Sequence, residues 1–120
     1  MKASEAGPLI RRRIKKALKR GERLARETYG IEVKENGELY ADGPMCGLGA
    51  CLIGHKVKPG MYRYNDSEDY KAVVQEVLGI NETQHTQFIH GFDEGDRATV
   101  WSRLGDDIAT EFLGPPKRRR

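Results

Sequence analysis

Long apolar runs are missing from this chain of 120 residues. Nothing approaches the roughly 18 consecutive apolar residues of a membrane span, and no apolar signal segment follows Met1. Cysteine is scarce. Two thiols, Cys46 and Cys51, exclude a disulfide-built scaffold and, with no secretory signal, point to a reducing, cytoplasmic setting. Internal repeats and low-complexity tracts are absent apart from two basic stretches, which excludes solenoids and collagen-like chains. What remains is a polar composition, with 38% hydrophobic residues and a mean hydropathy of −0.70. That is enough apolar material for a core, and the length predicts one domain over residues 1–116 with a basic tail at 117–120.

Catalytic and metal-binding signatures are also thin. Gly49 and Gly54 precede His55-Lys56 with some likeness to a phosphate-binding loop. The lysine falls one position late, Val57 stands where a magnesium-binding hydroxyl is needed, and no apolar strand comes before. Cys51 and His55 are four apart and can share a helix face, but no Cys-x-x-Cys and no fourth ligand accompany them. His85 and His90 do not converge on a helix. The acids Asp93, Glu94, Asp96, Asp106 and Asp107 lack the spacing of a calcium loop. Residues 67–91 invite comparison with a helix-turn-helix, yet Glu82 to Gln87 contain no Lys or Arg to hold phosphate. No cofactor and no metal are therefore expected, and the protein reads as non-enzymatic.

Charge is segregated. Residues 1–30 carry a net +7, residues 31–116 a net −8, and the last four +4, for +3 in all. Basic ends flanking an acidic body suggest contact with a polyanion or an acidic protein surface. The plainer alternative is that the basic ends lie against the acidic body of the same molecule.

The periodicity predicts a mainly α, α+β domain of four to five helices with one β-hairpin after the first helix. A basic amphipathic helix is expected over 8–29, with Gly7 as a break, Pro8 at its first position and Gly30 beyond its last turn. Ile10, Ile14, Ala17, Leu18, Gly21, Leu24 and Ala25 fall on one side, with Gly21 marking a close approach. Arg12, Lys15, Lys16, Lys19, Arg23 and Arg26 fall opposite, and Arg13 and Arg20 sit on a flank.

Alternation around Asn36-Gly37 predicts a hairpin over 31–41 with a two-residue type I′ turn. Asp42-Gly43-Pro44 reads as a strand break. A helical core over 45–113 follows: a glycine-rich buried helix, a loop at 55–64, a helix at 67–78 capped by Asp66, and a helix opened by Asn81 with Gln84. A turn over Gly91 to Gly95 and a last helix at 97–113, capped by Asp93 and Asp96 and closing on Trp101, complete it.

The first helix is the leading functional candidate. Its six cations, with Arg118, Arg119 and Arg120 of the tail, suit sequence-independent phosphate contacts to nucleic acid. Lys56, Lys58, Tyr62, Arg63 and Tyr64 offer an auxiliary basic and aromatic patch of the kind that stacks on bases. The rival reading, of a different class, is an interaction module such as a phage-type inhibitor or adaptor docking through its acidic body. A membrane surface is the poorest partner, because no bulky aromatic residue accompanies Ile10, Ile14, Leu18 and Leu24.

Three segments taken in order, Cys46-Gly-Leu-Gly-Ala50, Val77-Leu-Gly79 and Phe88-Ile-His-Gly-Phe-Asp93, resemble a pattern in small uncharacterised bacterial and phage proteins. The resemblance spans roughly residues 45–113. It implies a compact, mostly helical accessory domain and no particular activity.

Overall fold

A computed structural model describes residues 1–57 and 67–116. Asp66, expected to cap the third helix, lies outside the described residues. The architecture is mainly helical α+β with one antiparallel hairpin after the first helix: α1 (Ala3–Lys19), β1 (Tyr29–Val33), β2 (Leu39–Met45), α2 (Gly47–Ala50), α3 (Ser67–Leu78), α4 (Glu82–Glu94) and α5 (Val100–Leu113). Among the described residues, no helix is long and apolar enough to cross a membrane.

The centre is a helical hairpin made by α4 and α5. Gly91 of α4 lies directly on the Ser102 backbone, and Gly105 of α5 lies on the Phe88 carbonyl and the Phe92 N–H. A Cβ at either position would overlap main-chain atoms, so the two glycines set how closely the helices approach. Gly91 is thus part of a helix that runs on to Glu94, not the start of a turn; Gly95, left-handed at φ 80°, closes it. Both helices open with capping boxes. Asn81 and Gln84 cap each other's backbone at α4, as the spacing predicts. At α5 the pair is Thr99 and Ser102, not Asp93 and Asp96, and the helix begins at Val100. Phe88 and Phe92 stack at 5.9 Å between centroids, and with Trp101, Ile108, Leu48 and Leu52 they form the core.

Helix α1 differs from its expected span at both ends. It begins at Ala3, five residues early, with Gly7 and Pro8 inside it. Gly7 is buried because α1 lies close on α5: a Cβ there would stand 3.2 Å from Leu104 Cδ1. Packing along Ala6, Ile10, Ile14 and Ala17 overrides the weak helix propensity of Gly-Pro. The helix ends at Lys19, not near 29. Gly21 adopts φ 89°, its N–H bonds Leu18 O, and the Glu22 N–H bonds Ala17 O. This is the Schellman arrangement, so Gly21 terminates the helix and marks no close packing. Leu18 stays exposed, and Leu24 and Ala25 run beside the end of β2.

The hairpin forms with a different turn. Lys34 N–H bonds Glu38 O, Gly37 N–H bonds Lys34 O, and Gly37 is left-handed at φ 89°. The loop therefore has three residues and a glycine bulge. Val33 pairs with Leu39 and Ile31 with Ala41. A two-residue turn would place Asp42 opposite Ile31; the extra loop residue instead buries Leu39 on the same face as Ile31. Asp42-Gly43-Pro44 does not end β2 but bulges opposite Gly30, and pairing resumes at Met45 with Tyr29. Gly30 is accordingly a strand residue pressed on the Gly43–Pro44 backbone rather than a helix terminator. Residues 54–57 hydrogen-bond to Leu39 at the start of β2 and to Gly37 of the hairpin loop. Helix α2 spans only four residues and is capped by the Cys46 sulfur; Gly47 touches both Phe92 and Ile14, tying α1 to α4.

Two predictions arise here. Gly91→Ala or Gly105→Ala each costs about 1–3 kcal/mol or more by overpacking, read as a lower urea midpoint. His85 is buried against the core, and burial, with the Lys71 ammonium adding to it, lowers its pKa to about 4. The folded state therefore holds a neutral imidazole, and its stability contribution is full above pH 6.5 and falls as the pH drops towards 4. By linkage the loss reaches about 3 kcal/mol near pH 4. The urea midpoint of the wild type should fall more steeply between pH 7 and pH 4.5 than that of His85→Gln.

Candidate nucleic-acid interface

The apolar stripe of α1 faces α5 and α2, which turns its basic face outward. Arg12, Lys15, Lys16 and Lys19 are all exposed. Among the described residues none of these four lies within ion-pair distance of a carboxylate. They run along one face from the first to the last over about 10 Å of helix axis. Several of the body's acids have cation partners of their own. Glu111 of α5 takes Arg11 (3.1 Å), Asp106 and Asp107 take Arg97 (2.5 and 2.7 Å), and Glu38 takes Lys34 (3.2 Å). Among the described residues, then, only Arg11 of the basic helix meets the acidic body in an ion pair; Arg20 pairs with its near neighbour Glu22 at 2.8 Å.

The remaining expected contacts scatter. Arg23 is exposed but lies beyond the end of the helix, where its carbonyl accepts from Met45 N–H. Arg26 is half-buried and structural. Its Nε donates to Phe92 O at 3.1 Å and its Nη2 to Gly114 O at 2.7 Å, so one guanidinium satisfies carbonyls at the ends of α4 and α5. Beside it, Asp93 accepts from Glu27 N–H, and burial raises the Asp93 pKa. Lys56 is exposed on the segment paired to β2, opposite Glu38. Lys58, Tyr62, Arg63, Tyr64, Arg118, Arg119 and Arg120 lie outside the described residues.

Two depressions flank the ridge made by Arg12 and Lys16, one helical turn apart. An open groove of about 510 Å³ is lined by Pro8, Arg11, Arg12, Lys15, Lys16 and Lys19. On the other side, a pocket of about 250 Å³ is lined by Arg12, Arg13, Lys16 and Arg20 with Ala50 and Ile53. Arg13 and Arg20 were legible only as a flank of the helix; their three- and four-residue spacing about Lys16 is the signal that joins them.

Arg13 is half-buried, and its Nη1 reaches His55 Nε2 at 2.7 Å and Cys51 O at 3.4 Å. A guanidinium only donates, so His55 accepts through Nε2 and is neutral; burial first, and Arg13 second, lower its pKa. The cysteines beneath are buried, with the Cys51 thiol raised to about 12 by burial despite Arg13. Among the described residues, no group of three potential metal ligands comes together.

Comparison with protein families, with curated proteins and with solved structures returns no match.

Arg26→Met should lower stability by about 1–3 kcal/mol through two lost charge-assisted hydrogen bonds. Urea denaturation checks this, and the loss should greatly exceed that of Lys19→Met on the open face of α1.

Proposed function

We propose that this is a non-enzymatic accessory protein that binds nucleic acid through α1. The observation that carries the reading is the exposed set Arg12, Lys15, Lys16 and Lys19, with no carboxylate partner among the described residues on a helix whose opposite face packs into the core through Ala6, Ile10, Ile14 and Ala17. Long basic side chains held on a rigid helix can neutralise several phosphates of a backbone without reading bases. Part of the acidic body's charge is already taken up. Asp106, Asp107, Glu111, Glu38 and Glu82 each already face a cation. Arg23 extends the basic surface past the helix, whereas Arg26 is left out of the footprint because its donors are spent on carbonyls.

Displacement of counterions makes such binding salt-steep. Titration of a mixed-sequence duplex DNA and a structured RNA from low to moderate salt should give a linear log–log dependence. With four phosphate contacts the slope on duplex DNA should be about −3 to −4. In Arg12→Gln/Lys15→Gln/Lys16→Gln/Lys19→Gln the slope should flatten markedly and affinity should collapse. Absence of wild-type binding even at low salt would reject the reading and turn attention to a protein partner for the acidic body.

A further inference from the structure

The two depressions beside Arg12 and Lys16 differ in a way that bears on what each can hold. The groove on the Lys15–Lys19 side is the larger and runs along the helix, as a continuous strand backbone requires. The pocket on the Arg13 side is half that volume and gathers four cations around one concavity. Glu22 neutralises Arg20 in part, through contacts of 2.8 to 3.2 Å, leaving a net charge of about +3 from Arg12, Arg13 and Lys16. A backbone phosphodiester brings a single negative charge. A phosphomonoester brings about −1.5 to −2 at neutral pH, with three strong acceptor oxygens.

Arg13 is built for such a ligand. His55 and the Cys51 carbonyl take two donors from Nη1 and fix the guanidinium plane. Of its five N–H donors the other three, on Nε and Nη2, have no partner among the described residues. A half-buried, pre-oriented guanidinium with open donors is the geometry that favours phosphate oxygens over a diffuse cloud of counterions. Ala50 and Ile53 supply an apolar wall against which the attached sugar or base can lie.

We propose that this pocket holds a terminal phosphomonoester of a nucleic-acid strand, while the neighbouring groove carries the strand's internal phosphodiesters across the shared ridge of Arg12 and Lys16. The inference rests on the nucleic-acid reading and adds a preference for phosphorylated ends. Arg13 and Arg20 would discriminate the end; Lys15 and Lys19 would not.

The test compares one fluorescent oligonucleotide in three forms, 5′-phosphorylated, 3′-phosphorylated and unphosphorylated, by anisotropy at fixed salt. One of the phosphorylated forms should bind about tenfold tighter or more than the unphosphorylated one. Arg13→Gln and Arg20→Gln should each reduce that preference, and the exposed Arg20 keeps the test valid if Arg13→Gln unfolds. Lys15→Gln/Lys19→Gln should weaken all three forms while the preference persists. Equal affinity for the three forms would overturn the pocket assignment and leave the nucleic-acid reading standing. Failure of all three to bind, with adenosine monophosphate still raising the melting temperature in an Arg13-dependent way, would overturn the strand as the carrier and with it that reading.

Discussion

The close approach of α4 and α5 is the constraint on which the other contacts hang. Two glycines, Gly91 and Gly105, let each helix lie against the other's main chain. That approach brings the ends of both helices within reach of one guanidinium, and Arg26 bridges Phe92 O and Gly114 O across it. It also presents Leu104 and Glu111 on the outer side of α5, where Gly7 and Arg11 of α1 meet them. Gly47 then fills the space between Ile14 and Phe92. The position of α1, and hence the direction of its basic face, follows from a contact that α1 does not itself make.

The electrostatic layout explains why a protein of modest net charge can present a strongly basic face. The acids of the body could have folded onto α1, as the plainer reading of the segregated charge expects. Three of them are instead paired close to where they arise in the chain, Asp106 and Asp107 with Arg97 and Glu38 with Lys34, and within the basic segment Glu22 pairs with Arg20. Asp106 is buried, and Arg97 keeps part of its surface in solvent, so the pair anchors the start of α5 without closing off the helix's outer face. Among the described residues only Glu111 is drawn to α1. The solvent-exposed pairs among them, Lys34–Glu38 and Arg97–Asp107, add little stability. Their consequence is that these acids are turned away from Arg12, Lys15, Lys16 and Lys19, which keep no carboxylate partner among the described residues.

Much of this arrangement was legible in the residue pattern. The stripe Ile10, Ile14, Ala17 and the opposing Arg12, Lys15, Lys16, Lys19 follow from helical spacing alone, as do Phe88 and Phe92 and the Asn81–Gln84 cap. Where the pattern misled, a distant partner was responsible. Gly7-Pro8 reads as a break until Leu104 packs on Gly7. Asn36-Gly37 reads as a two-residue turn until burial of Leu39 selects the longer one. Arg26 reads as a surface cation, because its carbonyl acceptors lie 66 and 88 residues away. The pocket was invisible for the same reason: one wall is α1, the other is Ala50 and Ile53, and no local spacing links them. Gly21 is the exception: on the apolar stripe it reads as a close approach, whereas its φ of 89° makes it the left-handed end of the helix.

The most direct test of α1 as the binding face needs no variant. Lysines of the native protein would be acetylated with and without a structured RNA at low salt, and their modification quantified by mass spectrometry. Lys15, Lys16 and Lys19 should be strongly protected, while Lys34 and Lys71, on other surfaces, should react equally in both samples. Protection spread evenly over all lysines, or confined to those outside α1, would contradict the account.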